Sequence, residues 1–283
     1  MDHDGTCAVK GDTKTLPPYY GLPLPVMSKI MELMELLDEK VALYNRPAFI
    51  QQDPVCIPHR FTAKQDIEIS GLFATVLAWG NRTSIINSCN KIMENMDNAP
   101  YQFILQHQET DLKRFLHFAH RTFNTTDLLY FIEFLTWHYA KSDTLEDAFV
   151  PEKKYSGANV KGALIHFNHY FFSIEHPERT RKHVATPERN SACKRLNMYL
   201  RWMVRKDNKG VDFGIWNKIK PAQLVCPLDV HVARVAHRLG LLATDKADWN
   251  NAEQLTLQLA ELNPADPAIY DYALFGLGMA ERF

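Results

Sequence analysis

Along most of this chain, apolar residues return every three or four positions and seldom alternate, a pattern that suits packed helices and not sheets. Ile30, Leu33, Met34 and Leu37 fall at i, i+3, i+4 and i+7 within residues 27–43 and so share one helical face. Thr62 opens a second segment whose apolar run from Ile69 to Trp79 suits a largely buried helix. Asp66 and Glu68 sit near its start, where the helix dipole favours carboxylates. Gly80 and Asn81 interrupt it, and Ile85, Ile86, Cys89, Ile92 and Met93 mark a further helix over residues 83–96. Residues 111–120, 126–140 and 158–174 read similarly. The links are short, as between packed helices, and no fixed period suggests a solenoid. The expected class is all-α.

Residues 1–20 read as a polar tail, and residues 21–283 as the helical body, either one compact domain or two interleaved lobes. Five scattered cysteines with no CxxC pair argue against a disulfide framework, a structural zinc and a four-cysteine iron–sulfur cluster. The pairs His117/His120 and His166/His169 each lack a convincing third ligand, so neither a metal nor any other cofactor is expected. No apolar stretch approaches eighteen residues, and the N-terminus has no signal-peptide run, so no membrane partner and a cytoplasmic location are expected. The oligomeric state is left open, with a monomer the simplest reading.

Charge is unevenly spread. The chain carries 32 basic and 33 acidic residues, yet residues 181–240 hold thirteen basic residues against four acidic ones. That asymmetry is the footprint of a phosphate-backbone binder, although a solvated basic face would look the same. In SACKRLNMYLRWMVRK, Leu196, Tyr199, Leu200 and Met203 form a core face, Lys194, Arg201 and Arg205 line up on another, and Ser191 is the expected N-cap. Just before it, residues 175–191 form a polar stretch with two prolines, longer than a connection needs to be. Gly210 and Gly214 permit a tight turn whose amides either contact phosphate or merely connect helices.

Asp229 follows Pro227 and precedes a periodic stretch, Val232, Val235, Ala236 and Leu239, that ends at Gly240. It therefore reads as a helix N-cap, a carboxylate at the mouth of a helix that also carries His231 and Arg234.

The segment CPLDVHVARVAHRLG, with Asp229, His231 and Arg234 in order, resembles the catalytic segment of helix-hairpin-helix DNA glycosylases. Residues 249–278 are similar to the closing helices of that superfamily, closest in pattern to its archaeal 8-oxoguanine glycosylase branch. The full chain resembles a bacterial family of unknown function related to the same superfamily. The resemblance implies a glycosylase-like fold with two lobes flanking a cleft, DNA as partner, and a role in DNA repair. It implies that Asp229 activates water and stabilises the positive charge that develops at C1′ when the N-glycosidic bond of an extruded base breaks.

In bifunctional relatives a lysine amine attacks C1′; an ungapped comparison sets Asn197 at that place, and an amide cannot form a Schiff base. Lys194 lies almost one turn earlier, and Lys218 and Lys220 are nearer Asp229 in sequence. The expectation is thus a monofunctional glycosylase with Asp229, and secondarily Lys194, as catalytic residues. Arg195, Arg201, Arg205, Lys218, Lys220, His231 and Arg234 are the expected nucleic-acid contacts. Trp79, Asn197, Asp271 and Tyr272 are the base-pocket candidates, while Phe275 and Leu277 are assigned to the core. A stacked ring would contribute about 1–3 kcal/mol per base. The competing readings are a non-catalytic nucleic-acid binder on the same fold and a helical protein-interaction module.

Overall fold

The first apolar stripe becomes α1 (Leu24–Tyr44) in the computed structural model, which describes residues 24–279; the expected tail over residues 1–20 lies outside them. A single turn, α2 (Pro47–Ile50), and two 3-10 turns lead to α3 (Lys64–Val76), α4 (Arg82–Asn95) and α5 (Pro100–Gln106). A short hairpin, β1 (Ala119–His120) against β2 (Phe123–Asn124), precedes α6 (Thr125–Tyr139), α7 (Glu146–Phe149) and α8 (Lys161–Phe171). The remainder is α9 (Lys194–Val204), α10 (Val230–Arg238), α11 (Trp249–Leu262) and α12 (Asp271–Met279). The hairpin is the sole sheet among the described residues, so the protein is all-α. No helix among them is long and apolar enough to cross a membrane.

The expected helix over residues 111–120 is not formed. A 3-10 turn over Asp111–Phe115 gives way to the hairpin, where Arg121 turns the chain back at φ 55°. The side chain of Asn124 accepts from the Thr126 amide, and the Asp127 carboxylate accepts from the Asn124 amide at 3.0 Å. This reciprocal cap sets where α6 begins.

Asp127 is itself buried and also takes the Thr180 hydroxyl at 2.8 Å and the Arg179 guanidinium at 2.5 Å. The long polar stretch before α9 is thereby pinned. It folds as two 3-10 turns, Glu178–His183 and Pro187–Arg189, with Thr180 and His183 buried.

Glu68 is not a dipole partner at a helix end. Fully buried on α3, it accepts from Trp216 Nε1 at 2.6 Å, Thr144 Oγ1 at 2.7 Å, Tyr139 Oη at 2.9 Å and the Leu145 amide at 3.0 Å. Burial raises its carboxyl above the ordinary range despite these donors. One side chain thus joins α3 to α6, to the turn before α7 and to the chain beyond α9.

Helix α9 packs on α3, where Tyr199 and Met203 lie against Gly71 and the Tyr199 hydroxyl donates to the Glu68 carbonyl at 2.9 Å. Helix α12 packs between α1 and α10. At Gly276 a Cβ would stand 2.1 Å from the ring of Tyr44, so only glycine lets α1 approach this closely. Gly276→Ala is expected to cost about 1–3 kcal/mol by overpacking, read as a lower denaturant midpoint with an unchanged slope; an unaltered midpoint would show that α1 yields without cost.

Candidate functional site

A cleft of about 570 Å³ lies at the meeting point of the N-termini of α4, α9 and α10, with α12 closing one side. Its wall includes Asp53, Trp79, Arg82, His183, residues 191–196, Asp229, His231 and Phe275.

Local sequence explains how α9 and α10 present their ends here. Cys193, in the left-handed region at φ 49°, is the N-cap of α9 and gives no side-chain cap. The expected cap, Ser191, instead accepts from the Cys193 amide at 3.3 Å, outside the helix. Lys194 is then the first helical residue, a cation at the positive end of the dipole, where it does not favour the helix. Asp229 caps α10 as its sequence predicts, Oδ1 accepting the amides of His231 and Val232 at 2.9 Å each.

The two ends meet through one contact, Lys194 Nζ donating to Asp229 Oδ2 at 2.7 Å. Both side chains remain about a quarter exposed, at 28% and 22%. Burial raises the Asp229 carboxyl, but the charge and hydrogen bond of Lys194 and the Val232 amide outweigh it and hold the group below the usual carboxylate range. The cleft therefore keeps an ionised carboxylate beside an ammonium.

Aromatic groups flank the pair. Phe275, expected in the core, is only half-buried and lines the cleft, with Lys194 Nζ 5.9 Å and Arg82 Cζ 5.2 Å from its ring centre. Trp79 is also half-buried in the wall, with the Arg121 guanidinium carbon 4.8 Å from its ring centre and His120 meeting it edge-on. His183 lies in the wall too, and burial pushes its imidazole down to about 4 although Asp127 is 3.3 Å away.

Several expected site residues lie elsewhere. Arg201 and Arg205 are 4% and 1% exposed and form no surface for phosphate. Arg205 spends every guanidinium nitrogen on carboxylates: Nε on Asp266 at 2.8 Å, Nη1 on Asp212 at 2.6 Å and Nη2 on Asp207 at 2.9 Å. Arg201 bonds Asp271, lies 3.4 Å from Asp212, and sets its guanidinium carbon 4.2 Å from the Tyr272 ring centre. Asp271 and Tyr272 thus belong to this buried network and do not line the cleft. The turn at Gly210 and Gly214 serves the same network through Asp212, and its Phe213 and Gly214 amides donate to the Trp202 carbonyl.

Asn197 is buried too, its amide donating to the Ala192 carbonyl at 3.0 Å, behind the start of α9 and outside the wall. Arg195 lines the cleft but commits its guanidinium to the Val76 carbonyl. Lys218 bonds Asp147 at 2.6 Å and the Val150 carbonyl at 2.7 Å, and Lys220 lines a separate surface hollow with residues 154–158. His231 is exposed at the cleft wall, and Arg234 is exposed one turn further along α10.

Residues 53–280 match the model of a protein family of unknown function (DUF2400). The chain belongs to the DUF2400 family. No curated protein and no solved structure matches it. The span that defines DUF2400 begins at Asp53 and includes every residue of the cleft wall, whereas α1 precedes it. Among the described residues no group of three or more His, Cys, Asp or Glu side chains is placed to hold a metal ion.

Removing one partner from a buried charge network strands the others, at a cost of about 3–5 kcal/mol. Arg205→Gln is therefore expected to lower stability by that amount in urea unfolding. A variant of unchanged stability would mean that Arg205 is held less tightly than its four hydrogen bonds require.

Proposed function

We propose that this protein releases a base from DNA, with Asp229 as the carboxylate that stabilises the transition state and takes the proton of the attacking water. The reading rests on one observation, the Lys194–Asp229 contact in the cleft. A cation at the N-terminus of α9 works against its own helix, so the helix dipole gives no stabilising reason for its place there. An ionised carboxylate in a part-dry cleft is the group that an oxocarbenium-like C1′ requires, since its attraction grows as positive charge develops. Half-buried aromatic rings at Trp79 and Phe275 supply faces on which an extruded base can stack. The resemblance of the Asp229 segment to helix-hairpin-helix glycosylases points the same way, and with it a glycosylase-like fold whose two lobes face each other across the cleft.

The expectation of water as nucleophile rests on Asn197. With Asn197 turned away and Lys194 in the wall, a second reading is favoured by the same contact: the Lys194 amine, once its proton passes to Asp229, attacks C1′ itself. Borohydride separates the two, because only the amine gives a trappable Schiff base.

With Arg201 and Arg205 internal, the phosphate contacts move to exposed basic residues around the cleft. His231 and Arg234 lie on α10, and Lys182 and Arg189 edge a hollow of about 180 Å³ that shares Ala185 and Ser191 with the cleft wall. Lys182→Glu with Arg189→Glu is expected to lower DNA affinity and to reduce the slope of log K against log salt by about 2, one unit for each phosphate no longer neutralised. An unchanged slope would remove this edge from the interface.

The deciding assay is release from labelled duplexes carrying oxidised guanine, uracil, hypoxanthine or an alkylated purine, followed by hot alkali. Release by the wild type and its loss in Asp229→Asn, with DNA affinity retained, are expected. Equal release by Asp229→Asn would overturn the assignment of that residue. Salt-sensitive binding with no release from any duplex would favour a non-catalytic binder on the same fold, and absence of binding would favour a protein-interaction module.

A further inference from the structure

A second carboxylate lines the cleft, and the sequence gives it no motif. Asp53 precedes a 3-10 turn over Pro54–Cys56 and caps it, one oxygen accepting the Val55 amide at 3.0 Å. Its other oxygen takes no hydrogen bond from any described residue, although the side chain belongs to a residue only 8% exposed. A cap needs one oxygen and tolerates full exposure, so capping alone does not explain a carboxyl set into a cleft wall. The charged and titratable groups around it are Arg201 and Lys194 of α9, Arg82 of α4 and Cys56 of its own turn. Three of these are cations that favour the ionised form, yet burial is the larger effect and raises the Asp53 carboxyl above its usual range. Asp229, in the same cleft, is displaced in the opposite direction. Two carboxyls in one site whose environments separate them divide the work of acid and base.

We infer that Asp53 is the proton donor to the departing base, and that the substrate is a neutral purine-type base, which leaves readily only when a ring nitrogen is protonated. This rests on the base-releasing reading above. In the step, the C1′–N bond breaks and its electron pair goes to the base. The Asp53 proton goes to the accepting ring nitrogen, and water adds to C1′ and gives its proton to Asp229. Asp53 ends ionised, Asp229 ends protonated, and one proton exchange with solvent restores both.

The test compares two duplexes in single-turnover release, one carrying a neutral purine such as hypoxanthine and one carrying N7-methylated guanine, which is already cationic and departs without a proton. Asparagine retains the oxygen that caps the 3-10 turn, so Asp53→Asn is expected to fold, as checked by its thermal midpoint. The variant is expected to slow the neutral base by about a hundredfold or more while leaving the methylated base within about threefold. Asp229→Asn is expected to slow both. The wild-type rate on the neutral base should fall as pH rises through the Asp53 pKa, and that alkaline limb should be missing in Asp53→Asn. Equal slowing of both bases by Asp53→Asn, no slowing of either, or wild-type release of the methylated base alone would overturn the inference and leave the base-releasing reading standing. Release of neither base by the wild type, together with none from the wider set of lesions, would overturn both. Should Asp53→Asn fail to fold, Asp53→Glu, which keeps an acid, is expected to retain the alkaline limb, and its absence would count against the inference.

Discussion

Two guanidinium groups inside the protein dictate where its second half can go. Arg201 and Arg205 could be buried only if carboxylates came to meet them, because an unpaired internal charge costs several kcal/mol. The partners arrive from the loop after α9, through Asp207 and Asp212, and from the turn into α12, through Asp266 and Asp271. That requirement fixes the rotation of α9 about its axis and the height at which α12 crosses it. Lys194 lies eleven residues before Arg205, about 16 Å along the helix at 1.5 Å per residue. The network thus acts as the anchored end of a rod whose free end carries the cleft cation, and it holds Phe275 through the same α12.

The cleft inverts the logic of that interior. In the network both guanidinium groups are buried against carboxylates and Arg205 has all three nitrogens bonded, whereas in the cleft Lys194 and Asp229 stay partly exposed and Asp53 keeps an oxygen without a donor among the described residues. On the proposed reading, these open positions are where the transition state finds its partners. Asp53 and Asp229 also show how burial and neighbouring cations displace one residue type in opposite directions within a single hollow.

What can be read in advance follows from locality. Asp229 as a cap, the helix behind it and its stop at Gly240 all depend on residues within one short stretch, and the structure has each of them. The stripe on α1 is legible for the same reason. Arg201 and Arg205 mislead because helical spacing tells which residues share a face, not what that face meets; their partners at Asp266 and Asp271 lie more than sixty residues away. Glu68 misleads in the same way, as its four donors come from residues 139–145 and 216. Asn197 and Lys194 are hard to tell apart because a shift of less than one helical turn separates them, and the rotation of α9 that turns Lys194 into the cleft is set by Arg201 and Arg205 further along the helix. Asp53 carries a signal, an Asp-Pro step that caps a turn, but nothing in its neighbourhood announces a cleft assembled from the far half of the chain.

The wall of the cleft draws on well-separated stretches: the turn at Asp53, the turn after α3 at Trp79, the head of α9, the cap at Asp229 and Phe275 on α12. The polar groups that bind the frame together, Glu68, Arg201 and Arg205, stand outside that wall. Inheritance can therefore act on the two separately. A lineage can exchange the half-buried or exposed wall residues, such as Trp79, His231 or Phe275, and so alter what the hollow accepts, without touching Glu68, Arg201 or Arg205. Relatives that share this frame have a route by which preferences diverge one side chain at a time while the buried polar frame stays intact.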